Sequence, residues 1–400
     1  MWRTVKLGEV LELQNGYAFK SKEYSQDGFF VMRITNVQQG YISAHNPKYI
    51  QIASASKLAK FILEEGDILV SLTGDMGRVG VIREEHLPAA LNQRVARVQS
   101  VDASLDSHFL FHYLNSAIFR NQVEALGKGA AQANVSTKEI LEITLELPPL
   151  AEQERIVAKL DAAFAEIDEA ISSAESKESE VQALKTSILS KLLNNKSNGW
   201  ESSYLEGVSS FISRGISPKY IESGGVRVLN QKCIRNHRIN YDLARRHDID
   251  LKKVSEERFI RLGDILINST GQGTLGRVAQ VRKEPNELTT IDSHITIVRP
   301  KSELFYLDYF GYAAIAIEKI IQDAGQGTSG QTELAKSKVQ NDFQICFPRS
   351  FSDQEAEVKK LDIVFEEIEI ALKNLTKSKT NLYALKSAIL SQELQSSEAA

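Results

Sequence analysis

The chain has 400 residues, of which 42% are hydrophobic and 25% charged, with a formal net charge of −4. These values fit two or three globular domains with real cores, and they argue against a protein that coats DNA indiscriminately through a basic body. No apolar run reaches bilayer length, Met1–Val5 lacks the apolar core of a secretory signal, and Cys233 and Cys346 stand far apart in no ligand spacing; a reducing, cytoplasmic setting with buried, inert thiols is expected.

Strands are expected at Phe29–Ile34, at Asp67–Leu72 running into the Thr73-Gly74 turn, at Val79–Arg83 and at Val95–Val98. The stretch Gly74-Asp75-Met76-Gly77-Arg78-Val79-Gly80 is glycine-rich but lacks the Gly-Lys-Ser/Thr ending of a phosphate loop, which leaves a hairpin turn. The apolar period predicts a helix over Phe109–Glu124. His108 and His112 sit four apart near its start, without the Glu a zinc protease places after its first His, so a plain helix face is expected. Pro148-Pro149 closes the strand before it. Leu160, Phe164, Ile167, Ile171, Ala174, Val181, Leu184 and Ile188 then recur at near-heptad spacing, with no Pro or Gly between Glu152 and Asn194. That pattern predicts one helix of roughly 65 Å with a narrow apolar stripe.

Trp200 opens a second copy of the same plan. Leu7–Val10 matches Leu205–Val208, Gly66–Val70 matches Gly263–Ile267, and Thr73-Gly74 matches Thr270-Gly271. Gly77-Arg78-Val79 matches Gly276-Arg277-Val278, Gln153–Asp161 matches Gln354–Asp362, and Leu184–Ser190 matches Leu385–Ser391. Strands are expected at Val226–Leu229, Asp264–Asn268 and Ile295–Val298, and a helix over Leu304–Gln322. A second stripe follows: Leu361, Phe365, Ile368, Leu372, Leu375, Leu382, Leu385 and Ile389. The expected architecture is α+β and duplicated about a pseudo-two-fold axis. Residues 1–150 and 199–350 form two α/β domains; residues 151–198 and 351–400 form two long helices that pair antiparallel as a coiled coil. Each helical segment holds nine acidic and six basic residues, so the net negative charge concentrates there.

Between the anchors the copies diverge, as expected of one frame serving two tasks. Polar residues gather in the turns: Arg33, Thr73, Arg78, Gln93, Arg94, Lys128, Gln132 and Asn134 in the first copy. The second offers Asn230, Gln231, Lys232, Asn268, Thr270, Arg277, His294, Gln326, Thr328 and Gln331. Such side chains read base edges and grip phosphates, though a solvated surface explains any single one of them as well. No Gly-x-Ser-x-Gly elbow and no Asn/Asp-Pro-Pro-aromatic tetrapeptide occurs. A nuclease built on Asp67 and Asp264 is the one catalytic alternative. Both stand in Gly-Asp-Ile-Leu, where a turn entering a strand explains them better.

The run Leu147-Pro148-Pro149-Leu150-Ala151-Glu152-Gln153-Glu154-Arg155-Ile156-Val157 resembles the first conserved region of type I restriction–modification specificity subunits. Leu160-Asp161 and the helix ending Leu184-Lys185-x-Ser187-Ile188-Leu189 do so too. The second copy keeps Leu361-Asp362 and the terminal anchor, but has one proline, Pro348, and Ala356 where the first has Arg155. The resemblance implies two target-recognition domains, each reading half of a bipartite, gapped double-stranded DNA target. It implies helices that set the gap and dock two adenine-N6 methyltransferase (modification) subunits, with restriction (endonuclease/translocase) subunits joining that core. It implies no catalysis and no metal in this chain, with S-adenosylmethionine, ATP and magnesium held by the partners. The alternative is a coiled-coil scaffold with two protein-binding heads and no DNA contact.

Overall fold

A computed structural model describes residues 2–52, 57–127, 134–193, 199–325 and 333–395, without the side chains of residues 192 and 193. The chain divides into two compact units, Met1–Ala174 with Lys377–Ala400, and Glu175–Thr376. The long helices Leu150–Leu193 and Phe351–Glu393 each contribute segments to both units. The expected boundaries near 150, 199 and 350 therefore mark the ends of elements, whereas the compact units cut through the helices.

In the first unit a four-stranded antiparallel sheet runs in the order Leu11–Asn15, Val95–Ser100, Ile68–Ser71, Val79–Val81. A five-stranded sheet holds Phe29–Met32 parallel to Ala89–Leu91. The strand Arg3–Lys6 pairs with Thr144–Leu147. In the second unit the matching four-stranded sheet is Ser209–Arg214, Ile295–Pro300, Ile265–Asn268, Val278–Gln280, and Val226–Leu229 runs parallel to Thr289–Ile291. Trp200–Tyr204 pairs with Gln344–Pro348. Both glycine-rich stretches are the expected hairpin connections. The expected helix Phe109–Glu124 is two helices, Ser107–Leu114 and Ala117–Leu126. Ser116 breaks it, because its Oγ accepts the Phe119 N–H at 3.2 Å and starts a new helix. Leu304–Gln322 likewise resolves into Leu307–Ala316 and Glu318–Gly325.

Helix segments complete each core. In the first unit Ile156 and Leu160 are buried with Phe109, Leu110, Leu390 and Leu394, and Phe164 and Ile389 pack on that cluster. In the second, Leu189, Val358 and Leu361 are buried with Tyr309 and Phe310, and Ile188 and Phe365 pack on them. Burial of such side chains contributes about 1.5–3 kcal/mol each. Within the first unit Lys159 bonds Glu393 at 2.6 Å and Lys386 bonds Asp168 at 2.7 Å. Ascending one segment thus descends the other, so the segments run antiparallel. Ile167, Ile171 and Ile368 are buried, and Leu372 is half-buried. Two expected stripe residues fall outside the seam: Leu184 and Leu385 remain 53% and 49% exposed. The strict heptad position belongs to the next residue. Lys185 lies 5.3 Å over the Phe365 ring within the second unit, and Lys386 lies 4.7 Å over Phe164 within the first. In each case the ammonium itself sits over the aromatic face, a cation–π contact.

Candidate nucleic-acid interface

A tight turn repeats in both units. In the first, the Tyr17 N–H donates to the Leu91 carbonyl at 2.9 Å, Val95 N–H to Asn92 at 2.9 Å, and Leu72 N–H to Arg94 at 3.0 Å. The Val135 N–H closes the frame on the Leu72 carbonyl at 2.9 Å. In the second, Ile216 N–H donates to Ile291 at 3.0 Å, Ile295 N–H to Asp292 at 3.1 Å, Ser269 N–H to His294 at 2.8 Å and Leu334 N–H to Ser269 at 2.8 Å. Isolated bridges Thr73–Asn134 and Thr270–Glu333 coincide as well. Gly16 and Gly215 both pass so close that a Cβ would lie 2.2 Å from the carbonyl oxygen of Asn92 or Asp292. Only glycine permits that approach.

The frame carries unlike side chains. In the first unit Thr73, Gln93, Arg94 and Asn134 line one open cleft of about 710 Å³, together with Asn15 and Thr137. Gln93, Arg94 and Asn134 are exposed. Among the described residues the side chains of Gln93 and Arg94 have no hydrogen-bond partner, and the hydroxyl of Thr73 is buried without one. In the second unit the same turn presents Ser293 and His294. His294 is exposed, and its Nδ1 lies 2.6 Å from the Thr270 hydroxyl. Beneath it Asp292 is buried; its carboxylate accepts the His294 N–H at 3.0 Å, and burial raises its pKa above the usual carboxylate value. Glu333 is ion-paired with Arg214.

Several other expected readers are committed to the fold. Arg78 donates to the carbonyl of Ile34 at 2.7 Å and to Gln38 at 3.2 Å. Arg277, its counterpart, donates to Gly273 at 2.9 Å and to Ile234 at 3.4 Å. Half-buried Arg33 donates to the Asn46 carbonyl. Buried Asn268 donates to the Gln231 carbonyl at 3.0 Å. Asn230 caps its own turn through the Lys232 N–H at 2.9 Å and holds the Leu243 carbonyl at 3.0 Å. Gln231 is half-buried and Lys232 exposed. Lys128, Gln132, Gln326, Thr328 and Gln331 lie outside the described residues.

The acids suspected of metal chemistry are structural. Asp67 accepts the Glu64 N–H at 2.9 Å and pairs with Arg97 at 3.2 Å. Asp264 accepts the Arg261 N–H and both Arg299 contacts at 2.8 Å. Among the described residues no group of three His, Cys, Asp or Glu is placed to hold a metal. Both cysteines are buried and free, as expected.

Two duplicated contacts escaped the sequence reading. Buried Gln153 donates to the carbonyls of Ser104 at 2.7 Å and Pro148 at 2.8 Å, and accepts the Asp106 N–H at 2.8 Å. Gln354 donates to Leu304 at 2.9 Å and Pro348 at 2.8 Å, and accepts from Tyr306 at 2.8 Å. His112, expected on a plain face, is buried and bonded to Asp161 at 2.9 Å, where the other unit has Tyr312 on Asp362 at 2.5 Å. The repetition of Gln153 and Asp161 as Gln354 and Asp362 was the available signal.

Known proteins resemble this chain over part of its length. Residues 1–174 match the type I restriction modification DNA specificity domain. That match covers the first copy and the start of its long helix. The chain is 30% identical over 199 residues to the type I restriction enzyme MjaVIII specificity subunit of Methanocaldococcus jannaschii, covering 49% of this chain and 46% of that one. It is 33% identical over 165 residues to the EcoAI specificity subunit of Escherichia coli, covering 40% and 28%. The matched stretches thus span less than half of either relative. The fold extends further. A chain solved in work on complex assembly and conformational transition of the type I R-M system superposes with a TM-score of 0.73 at 20% identity, covering 98% of this chain and 97% of that one. The HsdS subunit from Thermoanaerobacter tengcongensis gives 0.50 at 20% identity, covering 98% and 96%.

Proposed function

We propose that this chain is the DNA sequence-specificity subunit of a type I restriction–modification complex. Each globular region reads one half of a bipartite, gapped double-stranded DNA target. The helices set the gap and dock two modification subunits, and restriction subunits join that core. The observation that carries the reading is the repeated turn: one backbone frame holds Gln93-Arg94 in one unit and Ser293-His294 in the other. Two copies of a reading surface with unlike side chains suit a target whose halves differ.

The chain itself is non-catalytic in this reading. S-adenosylmethionine, ATP and magnesium belong to the partner subunits, and the complex works in the cytoplasm. The absence, among the described residues, of any helix long and apolar enough to cross a membrane is compatible with that setting. Co-expression with the cognate methyltransferase subunit, followed by genome-wide mapping of N6-methyladenine, tests the proposal. A gapped two-part motif is expected. Methylation without such a motif, or none that depends on this chain, overturns it.

A further inference from the structure

We infer that positions 93–94 and 293–294 determine specificity, one pair for each half-site. The inference rests on the DNA-reading proposal above and names the residues that carry it.

Three observations converge on these positions. The turn backbone is held identically in both units, so residues 94 and 294 leave equivalent points of the frame. Their side chains are exposed, whereas other polar residues around the frame, Arg78, Arg277 and Asn268, are bonded into the fold. The chemistry also changes in kind between the units. Arg94 offers a planar fork of donors that suits guanine O6 and N7, and Gln93 an amide that suits adenine N6 and N7. His294 has its Nδ1 engaged by Thr270 at 2.6 Å, so either tautomer leaves Nε2 alone to meet a base edge. A single nitrogen makes one hydrogen bond where a fork makes two, so the second unit discriminates less sharply at its matching base. Thr270 acts as a positioning residue: its hydroxyl fixes which ring nitrogen faces outward.

The test uses the full chain co-expressed with its methyltransferase subunit and reads base preference at every position of the methylated motif. Arg94→Ala is expected to relax one base in one half-site by about 5- to 150-fold, the worth of a bidentate contact, with the other half-site unchanged as internal control. The double substitution Gln93→Ser with Arg94→His installs a pair that the same frame already holds, and is expected to change that half-site's preference. His294→Ala acts on the opposite half, and Thr270→Val broadens preference there more than it lowers total methylation. Arg94→Lys keeps the charge: a relaxed base supports the inference, while full methylation of the original motif makes Arg94 a phosphate contact and overturns it. A wild-type methylome with no two-part motif sinks the specificity reading itself. A wild-type two-part motif left unaltered by Arg94→Ala and by His294→Ala sinks this inference alone.

Discussion

In the first unit the carboxylate of Asp67 is 17% exposed beside Arg97, whereas in the second Asp264 is fully buried beside Arg299. Both aspartates occupy the same Gly-Asp-Ile-Leu segment and both cap the turn before it. They differ in solvation. Burial raises the pKa of Asp264 from its ordinary value, with the Arg299 hydrogen bonds opposing the shift. One motif therefore yields a partly buried ion pair in one unit and one with a fully buried carboxylate in the other. The lesson extends to the joints with the helices, where His112–Asp161 stands against Tyr312–Asp362.

The largest effect is expected from removing the buried carboxylate. Asp264→Ala leaves Arg299 unpaired and should destabilise the chain by about 3–5 kcal/mol, against about 1–2 kcal/mol for Asp67→Ala. Chemical denaturation of the two variants measures the gap; equal costs would mean that burial does not separate them. Next, Gln153→Ala and Gln354→Ala each delete a buried amide that satisfies three backbone groups. Both should cost about 2–4 kcal/mol, and by similar amounts. A large inequality would show that the two clamps are not equivalent.

Acid should then distinguish the units. Burial lowers the His112 pKa from its ordinary 6.5, with the Asp161 hydrogen bond opposing and the charges of His108 and Lys386 adding to the drop. The folded state thus keeps the imidazole neutral where the unfolded chain protonates it. Stability is flat above that ordinary value and falls as pH drops below it. Tyr312, pushed up to about 12, contributes no such slope. Hydrogen exchange resolved by segment should show the first unit loosening as pH falls below 6.5, and His112→Tyr should remove that dependence. The smallest effect is expected at the displaced stripe residues. Leu184→Ala and Leu385→Ala should change stability by no more than about 0.5 kcal/mol, while Leu160→Ala should cost about 2–5 kcal/mol. A cost near that of Leu160 would return Leu184 to the seam.

Much of the fold was legible in the residues because its signals are local. The duplication, the glycine-rich hairpins, the Pro148-Pro149 stop and the absence of helix breakers need only spacing and backbone chemistry. The break at Asn115-Ser116 was missed because an apolar period continues across it, and the hydroxyl cap that ends it is indistinguishable from a solvated serine. Leu184 was placed in the seam because it is apolar, while Lys185 holds the heptad position with its ammonium over the Phe365 ring of the other helix.

The sequence by itself determined that there are two copies of one unit, where each copy keeps its frame, and that the helices carry the acidic excess. Only the tertiary structure decided which polar residues remain available. Arg78 and Arg94 are equally plausible readers on paper. One reaches the carbonyl of Ile34 and is used up, while the other stands at the rim of a cleft with no partner among the described residues. That division follows from long-range backbone contacts, which bring segments dozens of residues apart within hydrogen-bond distance and leave no local trace in the chain.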